Sequence, residues 1–205
     1  GLDLVDALTG PAIGRPKSAT YRTADVVGLD TLGHVIKGSA LALQQDPWRQ
    51  YFKAPVWLTA LIEKGALGQK TRAGIYANKG KQVLDPAAGA YKDAGAKPDE
   101  AVQAILKIKN PAEKFAALRA SDHPQAQFLW AIQRDVFHYA AVLLAEIADT
   151  ARDIDFAIRW GFGWSMGPFE IWQAAGWRQV ADWIEQDIAA GKAMTKTPLP
   201  AWVKQ

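Results

Sequence analysis

His138, Arg134 and Asp135 fall within one five-residue stretch, and their types and spacing come nearest to acid–base chemistry in this chain. A histidine four residues after an arginine and three after an aspartate shares a helix face with both, so an oriented imidazole that moves a proton is conceivable there. The simpler reading is a histidine satisfied at a helix surface or in a packing contact, because no second catalytic partner is visible. His34 and His123 have less context still, and no spacing of His, Asp or Glu suggests a metal site. Cysteine is absent, which excludes disulfides, thiolate ligands and a cysteine nucleophile together. Glu170 stands in the first turn of a helix, where the positive end of the dipole favours a carboxylate. Arg15 and Lys17 flank Pro16 and have the charge to meet phosphates, although a solvated turn is the simpler role.

The elements that must carry these side chains are helices. Apolar periodicity, punctuated by Gly and Pro, predicts helices over residues 2–8, 18–27, 29–44, 55–64, 99–108, 111–120, 123–149, 153–160, 168–175 and 177–190, so the fold class is mainly α. Residues 123–149 form the central helix, with Phe128, Leu129, Ile132, Val136, Tyr139, Leu143 and Ile147 on its apolar face. Ser18 and Asp30 suit N-caps, while Gly28 and Gly176 stand where a short helix needs a stop. One stretch breaks the pattern: an Asn78-Lys79-Gly80 turn between two apolar runs predicts a small β-hairpin near residues 74–85. The Gly, Ala, Pro and Lys mixture over 85–98 reads as an exposed connection that divides the chain into 1–95 and 96–205. Two prolines make residues 194–205 a linker-like tail. Trp160, Trp164, Trp172 and Trp177 gather around one turn as a candidate core.

The chain also repeats itself. Asp6, Gly10, Gly14, Pro16, Arg22 and Gly28 recur as Asp155, Gly161, Gly163, Pro168, Glu170 and Gly176. Asp6 precedes Arg22 by 16 residues and Asp155 precedes Glu170 by 15, and each copy reaches its stop glycine six residues later. Each copy is thus a helix, a glycine turn, a second helix and a stop, with Arg22 and Glu170 in matching places that would face each other across a pseudo-twofold axis. The second copy follows a long helix and the first does not, which leads to the expectation of a piece of a longer protein.

The runs Trp160-Gly-Phe-Gly-Trp-Ser-Met-Gly167-Pro168-Phe-Glu170 and Leu8-Thr-Gly-Pro-Ala-Ile-Gly-Arg-Pro16, continuing through Arg22 to Asp30, resemble the C-terminal helical domains of 3-hydroxyacyl-CoA dehydrogenases of fatty-acid β-oxidation. Lys70-Thr-Arg-Ala-Gly-Ile-Tyr76 is similar to that family's short strand between repeats. The resemblance implies two repeats of the multi-helix fold seen at the C-terminus of 6-phosphogluconate dehydrogenase. It also implies NAD as cofactor of the full-length enzyme, a separate NAD-binding domain carrying a His–Glu pair, an acyl-CoA substrate and sometimes a fused enoyl-CoA hydratase domain. The family places Asn then Arg on the long helix before a repeat, near the substrate carbonyl, and this chain has Gln133-Arg134 at or near that slot. Arg22, Gln133, Arg134, Gly167, Pro168 and Glu170 are therefore the candidates for substrate-side or inter-repeat contacts, with no catalytic, cofactor-binding or metal residue expected. No Gly-x-Gly-x-x-Gly opens a strand–helix unit, so hydride transfer by this chain alone is not expected. The other class of function is a stand-alone helical interaction domain without catalysis.

Composition narrows the rest. The 205 residues are 49% hydrophobic and 22% charged, enough for a real core. Lys plus Arg number 24 against 21 acidic residues with no basic arm, which argues against dedicated nucleic-acid binding despite a pI near 9.1. No apolar run spans a membrane and no signal-peptide pattern opens the chain, so a cytoplasmic protein is expected, monomeric because its repeats would form an intramolecular pseudo-dimer.

Overall fold

The computed structural model describes all residues from Gly1 to Gln205 and is mainly α, with nine α-helices and one small antiparallel sheet. The chain forms two compact units, one of residues 1–10 and 17–97, the other of residues 11–16 and 98–205.

The first unit holds α1 (Leu2–Leu8), α2 (Tyr21–Val27), α3 (Leu29–Ala42), α4 (Val56–Glu63) and the strands β1 (Tyr76–Ala77), β2 (Gln82–Asp85) and β3 (Ala90–Asp93). Leu2, Leu29, Leu58, Leu61, Ile75, Val83 and Leu84 fill its core. Two buried carboxylates fasten the elements. Asp6 on α1 accepts from the backbone amides of Thr20, Tyr21 and Arg22 at 2.6–3.0 Å, which satisfies orphan donors at the start of α2, and from the Tyr76 hydroxyl at 2.8 Å. Asp25 on α2 accepts from the amides of Ile75 and Tyr76 at 2.8 Å and so ties the helix to β1. The expected caps give way to these bonds: α2 starts after Thr20 rather than at Ser18, and Asp30 lies inside the first turn of α3, where Lys70 holds it.

The predicted hairpin is present with Asn78-Lys79-Gly80 as its turn, but it is two-thirds of a three-stranded sheet ordered β1-β2-β3. The third strand, β3, falls in the stretch expected to be a plain connection and pairs Leu84 with Tyr91 and Asp85 with Ala90. It escaped the sequence because only one of its four residues is a strong strand former; pairing with β2 supplies the rest.

The second unit holds α5 (Glu100–Leu106), α6 (Pro111–Ala120), α7 (Pro124–Ile147), α8 (Ala151–Phe162) and α9 (Pro168–Ala189). Asn110 caps α6 through its side chain and His123 caps α7. α9 is broken at Gly176, whose φ of +98° no ordinary helical residue adopts, so the two expected helices 168–175 and 177–190 survive as two halves of one element. Gly28 stands between α2 and α3 at a φ of +101°. The core is an aromatic column: Phe115 stacks on Phe137, Phe137 on Trp172, and Trp172 on Trp177 at a centroid distance of 4.1 Å. Of the four tryptophans expected to cluster, only Trp172 and Trp177 join it; Trp160 is 79% exposed on Phe156, and Trp164 lies under Arg15.

The tail is not a linker. Trp202 packs near Trp177, the Trp177 indole donates to the Val203 carbonyl at 2.7 Å, and Val203 is buried in the final turn Ala201–Lys204. The prolines rule out an α-helix here, yet they leave the extended chain free to dock its apolar side chains.

Candidate functional site

The long helix α7 presents its two expected site residues in different ways. Arg134 is 5% exposed, and its guanidinium donates to both oxygens of Asp135 at 2.9–3.1 Å and to Asp187 Oδ2 at 2.9 Å. Asp187, on α9, also accepts from the Trp130 indole at 2.8 Å and pairs with Arg119 at 2.8 Å. Burial works against the charge of Arg134, and the bonds to Asp135 and Asp187 outweigh it and raise its pKa above the ordinary arginine value. A cation so held joins α6, α7 and α9, with three of its five N–H groups given to Asp135 and Asp187. Gln133, one position earlier, is 3% exposed, and its Oε1 has no hydrogen-bond partner.

The buried face of α7 is the one that carries this network. Ala126, Leu129, Trp130, Gln133, Arg134, Phe137, His138, Ala140 and Ala141 are buried, whereas Ile147, placed on the expected apolar face, is 61% exposed. Counting apolar residues picked a stripe displaced from the true one, since paired charges lower the penalty for burial. His138 belongs to this interior. Its Nε2 lies 2.7 Å from the Thr197 carbonyl, which ties α7 to the tail, and burial pushes its pKa below the ordinary histidine value.

Gly167, Pro168 and Glu170 build the entrance to α9. Asp155 on α8 accepts from the amides of Phe169 and Glu170 at 2.8 and 3.2 Å, and Glu170 accepts from the Gly167 amide at 2.7 Å while pairing with Arg159 at 2.9 Å. A Cβ on Gly167 would collide with the Asp155 backbone, so the close approach requires glycine. The device matches the one in the first unit, where Asp6 receives the amides that open α2, with Arg22 in the place of Glu170.

Arg22 lies over the Tyr76 ring at 3.9 Å and lines a cavity of about 460 Å³ with Asp25, Gly68, Arg72, Tyr76 and Lys79. Arg22 meets Tyr76 within the first unit, and Glu170 meets Arg159 and Gly167 within the second. Arg15 departs from the solvated role expected of it: its guanidinium sits 4.0 Å from the Trp164 ring, and burial lowers its pKa to about 10. Dinucleotide binding calls for a parallel βαβ unit with a glycine turn at a helix start, and the short antiparallel strands of this chain do not fit NAD. No group of three or more His, Cys, Asp or Glu side chains is arranged to hold a metal ion.

Comparison with known proteins gives these contacts their setting. Residues 2–78 match the family described as 3-hydroxyacyl-CoA dehydrogenase, C-terminal domain. A Bacillus subtilis protein described as a probable 3-hydroxyacyl-CoA dehydrogenase is 40% identical over 203 residues, covering 98% of this chain and 25% of that protein. A Rickettsia felis protein named as a fatty acid oxidation complex trifunctional enzyme is 27% identical over 190 residues, 87% of this chain and 25% of its own length. The chain therefore spans about a quarter of the length of these curated relatives. The crystal structure of 3-hydroxybutyryl-CoA dehydrogenase from Escherichia coli K12 superposes with a TM-score of 0.58 at 14% identity, over 98% of this chain and 54% of that one, and so shares the fold. The chain is thus similar over nearly its whole length to a quarter of a longer probable 3-hydroxyacyl-CoA dehydrogenase, and residues 2–78 match the model of that family's C-terminal domain.

Proposed function

We propose that this chain is the substrate-covering and assembly region of a 3-hydroxyacyl-CoA dehydrogenase that oxidises 3-hydroxyacyl-CoA to 3-oxoacyl-CoA with NAD. The observation that carries the reading is the 40% identity running through 98% of the chain against a quarter of a longer dehydrogenase. The engagement of Arg134 with two carboxylates and of His138 with a backbone carbonyl supports a supporting rather than a catalytic role, since neither is placed to move a substrate proton. NAD and the base that takes the hydroxyl proton belong, on this reading, to a domain outside these residues. The Rickettsia relative's name, a trifunctional enzyme, is in keeping with fusion to further domains. The site of action on this reading is the cytoplasm. No helix of the chain is long and apolar enough to cross a membrane.

The test is NADH oxidation with acetoacetyl-CoA. The 205-residue chain by itself is expected to show none, and the protein extended by its NAD-binding domain is expected to turn over. Steady NADH consumption by the isolated chain would overturn the assignment.

A further inference from the structure

In the first unit the cavity of about 460 Å³ is walled in part by Arg22, Arg72 and Lys79, and none of the three forms an ion pair, whereas Lys70, Arg119, Arg134 and Arg159 each hold a carboxylate. All three are exposed, and an exposed cation is cheap in water, so the charge alone says little. The backbone beneath them says more. Arg72 at a φ of +63° and Lys79 at +55° lie in the left-handed region, and they are two of only four non-glycine residues in the chain that do so. Glycine fills such positions without strain, and strain of this kind gathers where function holds it. The neighbouring Gly80 has a φ of +83°, and a Cβ there would come within 2.8 Å of Arg22 Nη1, so the loop that carries Lys79 leaves room for the Arg22 guanidinium. That guanidinium lies flat enough over Tyr76 to sit 3.9 Å from the ring. The one acid in the wall, Asp25, is already engaged, its two oxygens accepting from the amides of Ile75 and Tyr76. Three cations therefore face one space within the size range of small-molecule pockets, and no carboxylate of the chain pairs with any of them.

Phosphate sites draw heavily on free backbone amides at turns and helix starts. Here the amides of Gly68, Arg72 and Tyr76 are given to the Ala73 carbonyl, the Gln69 carbonyl and Asp25. What the wall offers instead is two planar guanidinium forks, which match carboxylates bidentately, and one ammonium, beside the carbon surface of Tyr76 and Ala77. We infer that this cavity binds a small organic anion with two or three carboxylates on a short carbon skeleton. The carboxylates meet Arg22, Arg72 and Lys79, and the skeleton lies against Tyr76 and Ala77. The site is separate from the acyl-CoA reaction and does not rest on that reading.

Calorimetric titration of the 205-residue chain at low salt with citrate, acetate, inorganic diphosphate and coenzyme A tests it. Citrate is expected to bind saturably at one site and more tightly than the other three. Arg72→Gly and Lys79→Gly are each expected to weaken citrate about tenfold, the worth of one charge-assisted hydrogen bond. Both changes also remove a side chain from left-handed backbone, so the melting temperature without ligand is expected to hold or rise while binding falls. A merely structural role for these side chains would move stability and binding in the same direction. Lys107→Gln removes the same charge from an exposed position at the end of α5 and is expected to leave citrate binding unchanged. No saturable binding of citrate, tighter binding of diphosphate, displacement of citrate by coenzyme A, or an equal loss with Lys107→Gln would each overturn the site. Should Arg72→Gly not fold, Lys79→Gly decides alone: unchanged citrate binding there overturns the site.

Discussion

Asp187 shows how much one side chain can hold in this fold. It is 1% exposed and receives Arg119, Arg134 and the Trp130 indole, so three donors converge on one carboxylate with little water nearby. Breaking such a pair is far worse than never having built it, because the remaining partner keeps its charge in a poor solvent. Asp187→Asn should therefore destabilise the chain by about 3–5 kcal/mol in denaturant unfolding. Combining it with Arg134→Met should add much less than the sum of the two single changes, since both act on one network. Full additivity would mean that Arg134 is held by Asp135 alone.

Among the elements, the two ends of the α9 entrance need glycine for different physical reasons. At Gly176 the backbone sits at a φ of +98° and nothing lies within 4 Å of where a Cβ would stand, so only conformational strain opposes a side chain. Gly176→Val should cost about 1–2 kcal/mol in thermal unfolding. At Gly167 the φ of −78° is ordinary, but the space is filled by Asp155, so even Gly167→Ala must push α8 and α9 apart. The alanine at 167 should lower the melting temperature more than the valine at 176, and the reverse order would mean that the α8–α9 contact yields more easily than its close packing implies. Both glycines were legible beforehand as punctuation between helices, because turn chemistry is local. Which of them answers to strain and which to contact was not, because the collision comes from Asp155, 12 residues away in sequence.

For the molecule as a whole, the exposed apolar residues are the feature that most affects behaviour in solution. Val26, Val27, Val35 and Leu41 on α2 and α3 are 54–63% exposed, while Leu32 and Ile36 on α3 pack against the first unit's core. Exposed apolar side chains of this kind promote association. The chain is expected to be monomeric at low concentration and to associate as concentration rises, with Val27→Ser plus Leu41→Ser suppressing the association in light scattering. Concentration-independent scattering from the unchanged chain would contradict this.

The helices, the Asn-Lys-Gly hairpin and the matched Asp6–Arg22 and Asp155–Glu170 patterns follow from the sequence, since periodicity, proline and glycine act over a few residues at a time. The same local chemistry carries the family resemblance. Tertiary structure alone decided the buried face of α7, where Arg134 goes inside because Asp187 arrives from a helix 53 residues later. It also decided the third strand, which exists because β2 offers an edge to pair with, and the docking of the tail on Trp177. Gln133 marks the difference most sharply: its place in the chain is written in the sequence, but that its oxygen lies buried and unpartnered depends on α5, α6 and α9 closing around it. Burial and pairing are set by which distant elements meet, and no local pattern encodes that.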